Sequence, residues 1–160
     1  MPEQVMDGFT TGAAADIGPQ IEAMLSRGEQ VVLLISGNSM RPTLKPGRDA
    51  VIIEPVSVWP PKRGDILFYR SERGESGYSV HRVYRVKPQG PIMNGDAQEW
   101  VEGPLEREAV LGTVVGLLRA GDLLDTEKLS YRAYVFFWRF TRPIRWPLFA
   151  LWRKIKGVKS

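Results

Sequence analysis

Residues 31–44 read Val31-Val32-Leu33-Leu34-Ile35-Ser36-Gly37-Asn38-Ser39-Met40-Arg41-Pro42-Thr43-Leu44. The first five are an unbroken apolar run rich in β-branched side chains, the pattern of a buried strand. Ser36, Gly37 and Asn38 are turn residues, and Pro42, Pro46 and Gly47 punctuate the next stretch as a loop. Ser39 is thus expected between a rigid strand and a proline-braced loop. There its backbone N–H can turn outward and donate to an oxyanion formed by attack of the same serine. Gly37 leaves room for a substrate backbone. An ordinary strand-to-turn connection uses the same residue types, so this stretch alone sets a strand and leaves the chemistry open.

Working outward, residues 50–53, 66–69, 78–86, 92–94 and 110–118 carry further strand patterns, the segment 78–86 being the longest. Trp59-Pro60-Pro61-Lys62-Arg63-Gly64 reads as a rigid turn, and residues 71–77 as a polar hairpin tip. Residues 1–15 look irregular. A short helix is expected after Pro19, with Ile17, Ile21, Met24 and Leu25 at helical spacing and Gly28 as its stop. Many short strands joined by Gly and Pro turns predict a mostly β fold, a sandwich or partly open barrel. The chain divides into a segment 1–30 with a short helix, a β domain 31–120, and a basic aromatic tail 121–160 expected to be helical.

The 160 residues suit one domain with its own core, at roughly 150 residues per domain. With no cysteine, disulfides, thiolate metal sites and a cysteine nucleophile are excluded. A single histidine, His81, excludes a metal site of several imidazoles, and no cofactor is expected. The net charge of +4 is uneven: residues 131–160 hold eight Lys or Arg and no acid, while the first 130 hold 14 basic and 18 acidic residues. A mildly acidic body argues against nucleic acid as a partner. Residues 1–17 lack the apolar run of a signal peptide or membrane span, so the expected location is cytoplasmic.

A serine nucleophile needs a base. In Tyr78-Ser79-Val80-His81-Arg82-Val83, alternation puts His81 on the face of Ser79 and Val83, opposite Val80 and Arg82. A lone strand histidine is commonly structural, and Gly95-Asp96 alone commonly makes a turn. Their order is more telling. Ser39-Met40-Arg41-Pro42-Thr43-Leu44, then Gly64-Asp65-Ile66, His81-Arg82-Val83, Gly95-Asp96 and Gly112 form a series of boxes over residues 31–118.

This series resembles the signal peptidase I superfamily, which includes the self-cleaving SOS-repressor-type peptidases. Most bacterial members place a lysine where this chain has His81, so it looks like the archaeal and endoplasmic-reticulum type with a Ser–His pair. The resemblance implies that Ser39 is the nucleophile and His81 the general base. It implies an acid that orients the imidazole, best matched by Glu102, with Glu99 as an alternative. It also matches Asp96 to the aspartate of the Gly-Asp box, as a structural or site-supporting residue. Gly37, Asn38, Met40 and Pro42 fall in the oxyanion and substrate-binding box. A neutral imidazole near its ordinary pKa suits a base at neutral pH, and a carboxylate on its other nitrogen would fix the tautomer.

The expected activity is cleavage of a peptide or protein by a serine endopeptidase. Two alternatives share the fold: a self-cleaving regulator, using Ala13-Ala14-Ala15 upstream of Ser39, and a catalytically inactive peptide-binding module. Tyr131 to Trp152 holds nine of the 16 aromatic residues among four arginines. The segment Tyr131 to Lys156 is therefore expected either to make peripheral contact with the inner membrane surface or to pack on the β body.

Overall fold

The computed structural model describes residues 14–73 and 77–124, together with Ala133, Phe136, Phe137, Phe140 and Thr141. The chain forms two compact units, residues 1–124 and 125–160. The first is mostly β. One helix, α1 (Ala14–Ser26), precedes seven strands: β1 (Val31–Leu34), β2 (Asp49–Pro55), β3 (Ile66–Arg70), β4 (Tyr78–Lys87), β5 (Gly90–Asn94), β6 (Val110–Arg119) and β7 (Asp122–Leu124). They make a single antiparallel sheet in the order β1-β2-β6-β3-β4-β5, with β7 added to β6. The sheet is open, β1 and β5 being its ends, so the strands lie in one sheet and not in the two of a sandwich.

The five strands expected beyond residues 31–35 all form. The sheet also runs past residue 120: Ala120 and Gly121 turn the chain back so that Leu123 pairs with Leu118. Helix α1 begins earlier than expected, ahead of Pro19, which lies inside it. Proline at its sixth position removes one helical hydrogen bond. That loss is offset by the face Ile17, Ile21 and Leu25, all buried, each contributing roughly 1.5–3 kcal/mol.

The core lies under the middle strands, where Leu67, Tyr69, Val83, Met93, Leu105 and Val110 form one buried cluster. Helix α1 packs close to β4 at Gly18, where an added Cβ would come within 2.1 Å of the Tyr78 ring. Tyr78 in turn stacks on Phe68 at 5.5 Å and donates to Glu22 Oε2. No helix among the described residues is long and apolar enough to cross a membrane. In the second unit, Phe136 and Phe140 stack at 6.1 Å, and Phe136, Phe137 and Phe140 are exposed. Most of the expected tail, and Ala13, lie outside the described residues.

Candidate active site

The loop after β1 is anchored by alternate burial. Met40, Thr43 and Leu44 are buried, whereas Gly37 and Asn38 are exposed and Ser39 is half-buried. The anchors leave Ser39 at the surface of a cavity of about 460 Å³. Its walls include Gly37, Asn38, Ser39 and Met40 from this loop, Ile17 and Ile21 from α1, Phe68 from β3, Tyr78 and His81 from β4, and Gln98 and Trp100 beyond β5. The expected serine and base, 42 positions apart, thus open onto the same cavity. Pro42, Asp96 and Glu102 do not line it.

No hydrogen bond joins Ser39 to His81 among the described residues, and neither the Ser39 hydroxyl nor its N–H has a protein partner there. The Ser39 carbonyl is held: it accepts from Ala97 N–H at 2.8 Å. Gly95 is required for that approach, because a Cβ on it would lie 2.7 Å from the Ser39 carbonyl oxygen. Asn38 accepts from Arg41 Nη1 through its side-chain oxygen at 3.3 Å.

Asp96 holds the boxes together from behind the cavity. Its Oδ2 accepts from Thr43 Oγ1 at 2.6 Å. Arg82 donates to both of its oxygens at 3.0 Å and to the Gly64 carbonyl at 3.0 Å. The Arg82 and Asp96 side chains are only 9% and 7% exposed. One ion pair therefore ties the Ser39 loop, the Gly64 turn, β4 and the Gly95 turn. Arg119, which donates to the Thr43 carbonyl at 3.1 Å, braces the same loop from β6.

His81 is 3% exposed. Its Nδ1 lies 2.8 Å from the Tyr69 hydroxyl, which donates to Glu102 Oε2 at 2.9 Å. Ser71 donates to the same carboxylate at 2.8–2.9 Å. The expected direct contact of Glu102 with the imidazole is corrected here: Tyr69 stands between them. The register explains why. Leu67 pairs with His81 and Tyr69 with Ser79, so Tyr69 is the diagonal neighbour of His81 on one face of the sheet. Glu102 reaches that face because its backbone pairs with Met93, beside β4, through two hydrogen bonds of 2.7 and 2.9 Å. Glu99 lies exposed in the preceding turn.

Burial sets the protonation state of the ring. It pushes the His81 pKa down to about 4, against the opposing pull of the Glu102 and Asp96 charges. The expected ordinary value is corrected accordingly: the imidazole is neutral well into the acid range. Burial, then the Glu102 charge, drives the Tyr69 hydroxyl far above its usual range, so it keeps its proton. Trp100 meets the His81 ring edge-on at 6.0 Å, and Asn94 holds Trp100 in place by donating to its carbonyl. Arg73 lies 5.2 Å over the other side of this corner, on the Trp100 ring.

The sequence singles out Ser39, His81 and Glu102 but not Tyr69, Ser71 and Trp100, which the structure brings around the imidazole. The one available signal was a tyrosine on a strand next to that of the histidine. Among the described residues, no group of three or more acidic or imidazole side chains converges to hold a metal ion. Comparison with known proteins finds no matching family model, no matching curated protein and no matching solved structure.

Proposed function

We propose that this protein is a serine endopeptidase that uses Ser39 as nucleophile and His81 as general base. The observation that carries the reading is the cavity shared by the Ser39 loop and the chain's only imidazole, a base kept neutral by burial. His81 takes the Ser39 proton as Oγ bonds to the substrate carbonyl carbon. The Ser39 N–H, without a partner among the described residues, is an available donor to the oxyanion, with the Asn38 side chain beside it. The imidazolium then gives its proton to the leaving amine as the C–N bond breaks. Water, deprotonated by His81, hydrolyses the ester. The resemblance of the boxes to signal peptidase I-type enzymes supports the same roles. Gly37, Asn38 and Met40 fit the substrate side of the cavity, and the apolar walls from α1 and β3 suit aliphatic side chains.

The proposal sets this activity at an anionic membrane surface, on the inner face. The tail's eight basic residues, its aromatic density, and exposed Phe136 and Phe140 one helical turn apart support that docking.

The test is labelling by a fluorophosphonate, which reacts with activated serines, read as added mass on the peptide containing Ser39. Wild type is expected to label there. Ser39→Ala is expected to lose the adduct, and His81→Ala to slow its formation by roughly 10²- to 10⁴-fold, the usual contribution of a general base. Both variants should keep the wild-type circular dichroism. Equal labelling of wild type and His81→Ala would end the mechanism.

A further inference from the structure

We propose that Tyr69 is a positioning residue that fixes the tautomer of His81, transmitting the charge of Glu102 to the imidazole through its hydroxyl; the role as a catalytic aid rests on the Ser39–His81 reading.

Counting protons fixes the direction of each bond. The Tyr69 hydroxyl has one proton to give and faces His81 Nδ1 at 2.8 Å and Glu102 Oε2 at 2.9 Å, with the Ser71 and Ser79 hydroxyls as further neighbours that can donate to its oxygen. An ionised carboxylate only accepts. Glu102 receives Ser71 Oγ across both of its oxygens, an arrangement suited to the carboxylate form. The phenol proton therefore goes to Glu102. The Tyr69 oxygen is left as acceptor, and Nδ1 must bring the proton of their shared bond. A neutral ring protonated at Nδ1 has its lone pair at Nε2. Nε2 has no hydrogen-bond partner among the described residues. It is the nitrogen left to take the serine proton.

The relay holds through the reaction without moving a proton along itself. When Nε2 gains the Ser39 proton, Nδ1–H still donates to Tyr69 and the phenol proton stays directed at Glu102. The ring's new positive charge faces an oriented phenol with a carboxylate behind it. The reverse tautomer, protonated at Nε2, would need Tyr69 to donate to Nδ1 and would strand an oxygen of Glu102 beside a lone pair. Tyr69 is itself fully buried in the core cluster, which holds its ring in place.

Because His81 is the only histidine, ¹⁵N-histidine labelling reports one ring. At neutral pH the wild type is expected to show a protonated Nδ1 and a bare Nε2 as a single tautomer. Tyr69→Phe removes only the hydroxyl and should produce a mixture or the reverse tautomer. Glu102→Gln tests the same relay from its half-buried end and should shift the population in the same direction. Fluorophosphonate labelling of Ser39 is expected to fall roughly 10- to 100-fold in Tyr69→Phe, part of the general-base contribution. An Nε2–H tautomer in wild type, or an unchanged Nδ1–H tautomer in both variants, overturns the relay. That result is separable from failure of the peptidase reading. If the tautomer shifts as expected while Ser39→Ala labels like wild type, the relay stands and the serine mechanism falls.

Discussion

His81 and Arg82 are adjacent on β4, and the strand's alternation sends them to opposite faces of the sheet. Each meets a carboxylate, yet the two regions are built differently. Around Arg82 two full charges meet directly: a nearly buried guanidinium on both oxygens of Asp96, with the neutral Thr43 hydroxyl and Gly64 carbonyl completing it. Around His81 the carboxylate is kept at one remove by a phenol, and the ring carries no formal charge. The first arrangement is one that holds parts in place, because removing either charge strands the other. The second suits, under the proposed function, a group whose charge changes during the reaction, because a direct ion pair would favour the imidazolium and raise the pKa of the ring. One strand thus serves architecture on one face and, under the proposed function, chemistry on the other.

The largest effect should come from breaking the architectural side. Asp96→Asn keeps the shape and removes the charge, leaving Arg82 buried without its anion. A loss of about 3–5 kcal/mol of unfolding free energy is expected, read from urea melts. The double variant Arg82→Met with Asp96→Asn separates loss of the pair from loss of one charge. It removes both charges and is expected to recover a large part of that loss, with a coupling energy of about 1–3 kcal/mol. Additive losses would mean that the pair does not clamp the boxes. Glu102→Gln, by contrast, should cost much less stability and act on the tautomer.

The second effect, in order of size, separates the two faces by pH. His81 titrates near 4 when folded and near 6.5 when unfolded. Below pH 6.5 the unfolded chain binds a proton that the folded chain refuses, so stability falls as pH drops toward 4 and levels off beneath it. The full span is on the order of 3 kcal/mol. Two carboxyls also sit below their ordinary values: Glu22, through its hydrogen bonds from Arg70 and Tyr78, and Asp49, where burial is outweighed by hydrogen bonds from Arg48 and the Lys45 N–H. They add their own losses only from about pH 4.5 downward. The interval from pH 6.5 to about 4.5 therefore belongs to the one histidine. His81→Gln should flatten it, while the double variant of the Arg82 clamp should leave it unchanged. The labelling rate of Ser39 should likewise stay level down to about pH 4.5 and fall near 4. An acid limb centred at 6.5 would show a solvated imidazole and undo the contrast between the two faces.

What could be read in advance divides along the same line. The strands were legible because alternation and Gly or Pro punctuation are local signals, and the box order drew attention to Ser39, His81, Asp96 and Glu102. Tyr69 was not legible. Ile66 to Tyr69 is buried at every position, so no alternation separates this tyrosine from its core neighbours. Its partners lie 12 and 33 residues away, brought near only by register. The start of α1 was hidden by Pro19, a local stop signal overridden by tertiary burial of Ile17 and Ile21.

The smallest expected effect concerns the acid that sequence alone left open. Glu99 and Glu102 are three residues apart, and matching from Gly95 favours Glu102 with Glu99 as the alternative. The backbone separates them. Glu102 is clamped to Met93 by a hydrogen bond in each direction, which turns its carboxylate to Tyr69 and Ser71. Glu99 is exposed in the turn before that bridge, outside the cavity wall. An exposed carboxylate is screened by water, and its removal typically changes stability by less than about 0.5 kcal/mol. Glu99→Gln should therefore label with fluorophosphonate within about twofold of wild type and keep the His81 tautomer, whereas Glu102→Gln shifts it. Were the two variants to exchange behaviours, the carboxylate behind the imidazole would be Glu99, and the Tyr69 route would be an arrangement without a catalytic charge behind it.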